Sequence, residues 1–429
     1  MKRFAALFLA MILALSLLVG CGPKNNNQQN DGKTPDGDGD SQTSELSGEI
    51  TYMTATPIYA KMSNEINAEF NKLYPNVKVN IEHVSDNYES VLKAKMGSNS
   101  APDVFTWQGY LAMKDFVNGG KVADLSNEGF DELVLPNFLP AGQMDGKQYG
   151  IPTMVQSVGL LYNKDVFEEA GITEVPRTVS ALKEAIEKVK AIGVQPFSSG
   201  LKEQWVCYDL FWFAQTPVMD DMMGWYDAMN AGTGSFMTDK MADVFEIFDL
   251  IYANSGDKPL ADDFAEMAHQ LAAGDAAMAV QGDWTYDETQ KIDPDANLGM
   301  IGFPVDEDPA NSTVLADAAE ILYISADSEN KEAAVAFVKW MLSKEGAEFL
   351  GSLTNTPSTS AAHPSIEANP FAAAADQWIN DGNKTAAFAW NYWAPGIMDV
   401  VGKNMQEYFM GNMTLEELTA DLDAQWVAP

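Results

Sequence analysis

Residues 49–84 read EITYMTATPIYAKMSNEINAEFNKLYPNVKVNIEHV, and their pattern determines the expected fold class. Segment 49–55 has the short apolar character of a strand, and residues 59–74 repeat apolar side chains at helical spacing. The apolar face of this helix is expected to carry Met62, Ile66, Phe70 and Leu73. Residues 76–84 then alternate between apolar and polar, as a second strand does. This order of strand, helix and strand predicts parallel pairing in an α/β layer.

The same alternation continues outward along the chain. A helix is expected over residues 87–98 and a strand over 102–107. The pattern then restarts with a strand that enters a helix at 159–171, a helix at 176–193 and a strand at 194–200. Two such units predict two α/β lobes joined by more than one crossing of the chain. Ligands of open parallel sheets bind beyond the carboxyl ends of the strands, so two facing lobes predict a ligand cleft.

The first 47 residues look unlike the rest of the chain. Residues 1–21 carry Lys2 and Arg3 before a short apolar run, which is typical of an export signal. They end in LVGC, which resembles the lipobox of bacterial lipoproteins and predicts acylation of Cys21; an ordinary secretory signal with an incidental cysteine is the alternative. Residues 22–47 hold almost no apolar side chains and are expected to form a disordered tether.

Charge and cysteine content exclude several classes of function. The chain has 429 residues and a formal net charge of −36, and beyond residue 47 it holds 22 basic and 57 acidic side chains. A field of that sign repels nucleic acid, and the acidity also has the plain explanation of solubility. With Cys21 acylated only Cys207 remains, which excludes a disulfide and reads as a buried small hydrophobe. The chain has 3 scattered histidines, which argue against a transition-metal site, and no cofactor is expected.

Several stretches, in this order and spacing, match a known family. They are PDV at 102–104 with Trp107, and the segments 145–172, 264–284, 298–305, 324–350 and 414–426. Along most of residues 48–429 the chain resembles the extracellular solute-binding proteins of carbohydrate ABC importers, family 1. The resemblance implies a two-lobe periplasmic-binding-protein-like α/β fold, a sugar ligand, membrane permease subunits as partners, a monomer, and no catalytic group. The lobes are expected over 48–154 with 317–356, and over 155–316 with 357–429.

The segment LAAGDAAMAVQGDW, residues 271–284, gives the first candidate site. Its small residues predict a strand buried on both faces. Gly282 is expected to let the chain turn, so that Trp284 projects into the cleft with Asp283 as a hydrogen-bond acceptor beside it. An indole face covers the apolar C–H face of a sugar, while polar groups pair with its hydroxyls. The resemblance implies a stacking role for Trp284; packing between the lobes is the alternative.

Other candidates follow the ends of predicted elements. They offer hydroxyls, amides, carboxylates or aromatic rings, and they are Thr54, Thr56, Trp107, Gln108, Gln156, Glu203, Gln204, Trp205, Asn391, Tyr392 and Trp393. Gln156 is included because the resemblance implies a polar ligand contact there. The aromatic residues in helical runs are expected in the core instead, among them Phe211, Trp212, Phe213, Phe337 and Trp340.

The predicted function is that of a lipid-anchored binding protein on the outer face of a Gram-positive cell membrane. It would capture a di- to tetrasaccharide by lobe closure and deliver it to the permease. Two other classes stay open. A binding protein of the same fold for a polyamine or peptide fits the negative charge, and a lipid-anchored glycoside hydrolase would also need aromatic and acidic groups in a cleft.

Overall fold

The computed structural model describes residues 46–84, 88–98, 100–216, 221–362, 369–394 and 396–427. The predicted signal, Cys21 and nearly all of the tether lie outside these residues. The strands are β1 Ser47–Thr54, β2 Asn76–His83, β3 Val104–Trp107, β4 Gln143–Met144, β5 Lys147–Gln148, β6 Gly150–Asn163, β7 Gln195–Phe197, β8 Ala276–Gly282, β9 Leu298–Ile301, β10 Val314–Ile324 and β11 Thr385–Ala386.

The helices connect and cover these strands. They are α1 Pro57–Lys61, α2 Ser63–Phe70, α3 Tyr88–Met96, α4 Lys114–Asn118, α5 Lys164–Glu169, α6 Val179–Ala191, α7 Gln204–Ala214, α8 Met222–Asn230, α9 Met241–Tyr252, α10 Phe264–Ala273, α11 Thr285–Thr289, α12 Lys331–Met341, α13 Lys344–Thr354, α14 Pro370–Asn380, α15 Ile397–Phe409 and α16 Leu415–Gln425. Short 3₁₀ turns include Tyr110–Met113 and Ala389–Tyr392. In the described part of the chain no helix combines the length and apolar character needed to cross a membrane.

The strands confirm the predicted mixed α/β class. β1 pairs in parallel with β2 and β3, and β7 pairs in parallel with β8. One continuous path runs β2-β1-β3-β10-β6-β8-β7, in which β6 is antiparallel to both of its neighbours. All 7 residues of β8 are buried, as the run of small side chains predicts.

Two long strands pass through both hydrophobic cores. One core contains Ile151 and Val155 of β6 with Ile321 of β10, together with residues from β1–β3 and α12. The other contains Val158 of β6 and Leu315 of β10, with residues from α6–α10 and α14–α16. β6 and β10 are therefore two of the backbone segments that connect the cores, and they hydrogen-bond to each other. The lobe boundaries themselves stay a prediction.

The prediction of a single helix over residues 59–74 is wrong in one respect. The chain forms two helices, α1 and α2, separated at Met62, where φ is −102° and ψ is 23°. Ile66 and Phe70 are buried as expected, but Leu73 lies beyond the end of α2 and is 48% exposed. Periodicity alone did not reveal this break, because the apolar spacing continues across it.

Cys207 and the start of α6 follow the sequence prediction. Cys207 is fully buried, its Sγ lies 3.5 Å from the Leu201 carbonyl oxygen, and burial raises the pKa of its thiol to about 12. It is therefore an unreactive core residue. Thr178 caps α6 by accepting a hydrogen bond from the Ala181 N–H, and Gly193 follows the helix with φ +82°.

Candidate functional site

Three adjoining cavities lie where β6 and β10 pass between the two cores. The Trp284 cavity has a volume of about 300 Å³ and is lined by Gln156, Trp205, Tyr208, Asp209, Trp212, Trp284, Ala318, Ala319, Phe388, Trp390 and Met398. The central cavity, of about 360 Å³, is lined by residues that include Thr56, Tyr88, Trp107, Gln108, Met154, Gln156, Ala319, Trp390 and Asn391. The Trp107 cavity, of about 330 Å³, is lined by residues that include Lys93, Trp107, Gln108, Lys114, Tyr226, Trp390, Asn391 and Trp393.

Shared walls join these cavities into one cleft. Gln156 and Ala319 line the Trp284 cavity and the central cavity, while Trp107 and Gln108 line the central cavity and the Trp107 cavity. Trp390 lines all three. The cleft is therefore a row of three compartments of similar size, with the Trp390 side chain at its middle.

A β-bulge in β10 lies at the base of the cleft. Ala318 pairs with Val155 and Glu320 pairs with Met154, so Ala319 is an extra residue without a partner on β6. Ala319 is exposed in the cleft, whereas the neighbouring Glu320 is buried. The bulge thus leaves the Ala319 methyl group exposed in the cleft, while the buried Glu320 still forms part of the wall of the central cavity.

Asp317, on the other side of the bulge, is buried and accepts four hydrogen bonds. Its Oδ1 accepts from the Tyr110 hydroxyl at 2.8 Å and from the Ala318 N–H at 2.7 Å. Its Oδ2 accepts from the Phe388 N–H at 3.0 Å and from Asn391 Nδ2 at 2.8 Å. Burial raises the pKa of Asp317 to about 6, against the opposing effect of these donors. One carboxyl group therefore joins β10 to two separate surface turns.

Glu320 makes a similar set of bonds toward the first core. Its Oε1 accepts from the Tyr52 hydroxyl at 3.0 Å, and its Oε2 accepts from Thr56 Oγ1 at 2.9 Å. Thr153 Oγ1 lies 3.4 Å from the same Oε1. Burial raises the pKa of this carboxyl group as well. The carboxyl oxygens of Asp317 and Glu320 already accept hydrogen bonds from the protein, which indicates a structural role for both groups.

The structure brings most of the sequence-predicted site residues to the cleft. Those that line it are Trp284, Trp205, Gln156, Thr56, Trp107, Gln108, Asn391 and Trp393. Those that line none of the three cavities are Thr54, Asp283, Glu203, Gln204 and Tyr392.

Asp283 and Thr54 lie behind the cleft rather than in its wall. Asp283 is 2% exposed, and its Oδ2 accepts from the Ser157 N–H at 3.0 Å. Burial raises the pKa of this carboxyl to about 8. Thr54 is fully buried, and its Oγ1 accepts from the Thr56 N–H at 3.0 Å. Both side chains bond to the backbone beside the cleft, and their contact with a ligand stays a prediction.

Of the other three, Glu203 and Tyr392 contact neighbouring aromatic residues, and Gln204 faces solvent. Glu203 Oε2 accepts from Trp205 Nε1 at 3.1 Å, which fixes the indole that lines the Trp284 cavity. Gln204 is exposed at the start of α7. Tyr392 packs against Tyr110, with ring centroids 5.1 Å apart. Their positions place these three residues beside the cavity walls.

The bend at Gly282 has a different cause from the one expected. Gly282 does not have a left-handed backbone conformation. A Cβ atom there would overlap the ring of Trp284, which lies against the Gly282 backbone. The residue is thus glycine because the indole occupies the space of a side chain.

Gly282→Ala should lower the free energy of unfolding by about 1–3 kcal/mol, because the new methyl group must displace the Trp284 indole from a packed site. Urea unfolding at neutral pH measures this change. Gly97→Ala is the control, since a Cβ at this exposed position would meet its nearest atoms at 3.4 Å or more. Equal stability of the two variants would contradict the packing argument.

Several wall residues were not predicted from the sequence, and they include Trp390 and three residues of α7. Trp390 lies directly before the predicted Asn391, and Tyr208, Asp209 and Trp212 lie on α7 beyond the predicted Trp205. Trp212 was expected in the core, and it is indeed 4% exposed, but it also lines the Trp284 cavity. The spacing of positions 205, 208, 209 and 212 would place them on one helix face, which is the signal that could have identified them.

The comparisons agree with this architecture. The sequence profile described as bacterial extracellular solute-binding protein matches residues 54–348. A binding protein of Brucella abortus is 23% identical over 241 residues, which are 54% of this chain and 56% of that protein, so the match spans about half of this relative's length. The melibiose/raffinose/stachyose-binding protein MelE of Bacillus subtilis is 22% identical over 447 residues, covering 99% of this chain and 96% of that protein.

Solved structures share the fold. The apo form of RafE from Streptococcus pneumoniae superimposes with a TM-score of 0.73 at 20% identity, covering 90% of this chain and 98% of that one. RafE in complex with raffinose gives a TM-score of 0.70 at 21% identity, covering 88% of this chain and 98% of that one. This similarity confirms the two-lobe α/β fold.

Proposed function

We propose, because the chain belongs to the bacterial extracellular solute-binding proteins, that it is the substrate-binding component of an ABC importer for a saccharide of two to four rings. Membership of this family makes it an extracellular binding protein. The saccharide, the partner permease and the lipid anchor are parts of the proposal.

The observation that carries the proposal is the aromatic lining of three compartments in a row. Trp284 and Trp205 line the first, Trp107 lines the last, and Trp390 is common to all. Pockets for whole small molecules usually range from about 300 to 1,000 Å³, so three adjoining compartments of 300–360 Å³ leave room for a ligand of more than one ring. Indole faces cover the C–H faces of sugars, while Gln156 and similar side chains pair with hydroxyls.

The relatives support the same ligand class. The name of the Bacillus subtilis relative specifies melibiose, raffinose and stachyose, and RafE has been solved with raffinose. These saccharides span two to four rings, which is the range that the three compartments and their aromatic walls favour for this chain.

We further propose capture by closure of two lobes. The lobes would comprise 48–154 with 317–356, and 155–316 with 357–429, connected through β6, through β10 and at residues 356–357. Closure would bring the Trp107 side of the cleft against the Trp284 and Trp390 side, and the permease would recognise the closed form. The protein would act as a monomer.

The proposed location is the outer face of a Gram-positive cell membrane. It rests on the lipobox-like LVGC at 18–21 and the polar tether at 22–47. A lipid on Cys21 would anchor the chain, and the tether would leave the lobes free to orient toward the permease.

Thermal unfolding of residues 22–429, which leave out the predicted signal and Cys21, against di- to tetrasaccharides tests the function. A bound saccharide at 100 times its Kd should stabilise the protein by about 2.7 kcal/mol, which raises Tm by about 5–10 °C. Trp284→Ala should weaken binding about 30-fold, because an aromatic anchor in a pocket contributes about 2 kcal/mol.

Trp426→Ala is the matched control for Trp284→Ala. Trp426 packs against Trp225 at a centroid distance of 5.4 Å and lines none of the three cavities, so its loss should change stability and leave Kd unchanged. A Tm shift from spermidine or a peptide with none from any saccharide would refute the proposed ligand class. Turnover of a chromogenic glycoside would instead favour the hydrolase.

A further inference from the structure

Tyr208 lines the Trp284 cavity with a hydroxyl group that makes no hydrogen bond to any described residue. The side chain is half-buried. Its oxygen is not one of the fully buried, unpaired atoms of the described chain, so the hydroxyl keeps accessible surface. Tyr88, in the wall of the central cavity, is the contrasting case, because its hydroxyl already donates to the Thr106 carbonyl at 2.8 Å. The Tyr208 hydroxyl is therefore available to a ligand.

Packing holds the Tyr208 ring in place without the help of its hydroxyl. Trp205 and Trp212 lie at helical spacing before and after Tyr208 on α7, so the three rings share one face of the helix. The Tyr208 and Trp212 ring centroids are 5.9 Å apart, and Trp212 stacks in turn on Phe388 at 5.0 Å. Because the ring is already fixed, little side-chain freedom is lost when its hydroxyl binds a ligand.

The polar groups that the Trp284 cavity offers carry no charge. Gln156, on β6, contributes an amide that also makes no hydrogen bond to a described residue. Asp209 lines the cavity as well, but it is 1% exposed, and burial raises the pKa of its carboxyl well above its usual value. No lysine or arginine of the described chain lines this cavity. A charged ligand group would therefore lose its hydration here without gaining a partner of opposite charge.

A hydroxyl group is the ligand chemistry that suits this wall. The Tyr208 hydroxyl and the Gln156 amide can each donate and accept a hydrogen bond, and so can every hydroxyl of a sugar. An ammonium group only donates and a carboxylate only accepts, and either would bring a charge into the cavity. The indoles of Trp205 and Trp284 can cover the C–H faces of the same ring. The cavity thus suits an uncharged sugar ring better than an amino sugar or a uronic acid.

We propose that Tyr208 binds a hydroxyl of an uncharged sugar ring in the Trp284 cavity and makes this compartment selective for such a ring. The inference rests on the proposed function, because it assumes that a saccharide occupies the cleft. It deepens that function by naming the class of ring that one compartment accepts and a residue on α7 that recognises it.

Tyr208→Phe tests the contact, since it removes the hydroxyl and keeps the ring. Calorimetric titration of residues 22–429 with melibiose, raffinose and stachyose should show a Kd raised about 3- to 10-fold, the effect of one hydrogen bond between neutral groups. The Tm of the unliganded protein should stay within about 1 °C of the wild type, because the hydroxyl bonds to no described residue. A structural role of the hydroxyl would instead lower Tm and leave Kd unchanged.

Matched pairs of ligands test the selectivity for an uncharged ring. Trigalacturonate is compared with its methyl ester, and the triamine of chitotriose is compared with its N-acetylated form. In the charged member of each pair every ring carries a charge, so the orientation of the ligand in the cleft does not matter. Neither charged member should bind more tightly than its uncharged counterpart. A charged member that binds at least 10-fold more tightly would overturn the inference.

Tyr162→Phe is the control for the loss of a hydroxyl. Tyr162 is also half-buried, its hydroxyl bonds to no described residue, and it lines none of the three cavities. This variant should keep the wild-type Kd. If Tyr208→Phe binds the saccharides as tightly as the wild type does, the inference is wrong while the proposed function stands. If the wild type binds no saccharide, neutral or charged, both are wrong.

Discussion

Asp317→Ala should lower the free energy of unfolding by about 3–5 kcal/mol at pH 7, because it leaves several buried donors without an acceptor. The donors are the Tyr110 hydroxyl, Asn391 Nδ2 and the N–H groups of Ala318 and Phe388. The loss of stability is partly offset, because the substitution also removes a carboxyl group whose burial costs desolvation free energy. Urea unfolding measures the change, and Asp327→Asn, at a side chain 77% exposed, is the control that should stay within about 0.5 kcal/mol of the wild type.

The pH dependence of the stability difference between the wild type and Asp317→Ala tests the protonation of Asp317. Its pKa is about 6 in the folded protein and about 3.9 when unfolded. The folded protein therefore binds the proton more tightly, and the stability from this group is complete below pH 4 and is lost as the pH rises through 6. The gap between the wild type and Asp317→Ala should thus widen by on the order of 2–3 kcal/mol between pH 7 and pH 4. If the stability difference instead narrows between pH 7 and pH 4, the four donors lower the pKa of Asp317 by more than burial raises it.

The sequence was sufficient to predict the class of the fold. The alternating run at 76–84 and the small, mostly apolar side chains of β8 both predict strands, and both segments form strands of the sheet. Local patterns of this kind depend on period and burial, which a single segment displays. The break at Met62 was missed because the apolar spacing of α1 and α2 is nearly continuous.

The site could be predicted only in part, because its walls come from distant segments. Trp107 is the last residue of β3 and Trp284 follows β8, so their position at the end of an element was visible. Asp283 follows the same rule, yet the Ser157 N–H, 126 positions away, holds its carboxylate. No local pattern encodes that pairing. Likewise, Trp212 has the spacing of a core residue and turned out to be both core and wall.

Asp317 and the cleft are connected through the turn Ala389–Tyr392. The Phe388 N–H and the Asn391 side chain both donate to Asp317 Oδ2, and Trp390 lies between these two residues in the sequence. The carboxyl group thereby holds both sides of the turn that presents the Trp390 indole. Stability of the network and geometry of the ligand site are consequently linked at one residue.

Trp390→Ala should weaken saccharide binding at least 100-fold, the largest effect expected of any single change in the cleft. Trp390 lines all three cavities, whereas Trp284 lines only the first of them. Its removal takes apolar contact from every compartment and merges them into one wider space, in which no ring is held against an aromatic face. Calorimetric titration of residues 22–429 with raffinose measures the loss.

Trp390→Phe separates the aromatic face from the rest of the side chain. Phenylalanine keeps a ring for stacking but covers less area, so it should cost about 5- to 10-fold in Kd and retain the order of preference among melibiose, raffinose and stachyose. Both variants should unfold within about 1 kcal/mol of the wild type, because Trp390 is only half-buried. If Trp390→Ala instead binds raffinose as tightly as the wild type, the three cavities are not compartments of one ligand site, because their only common wall would then be dispensable.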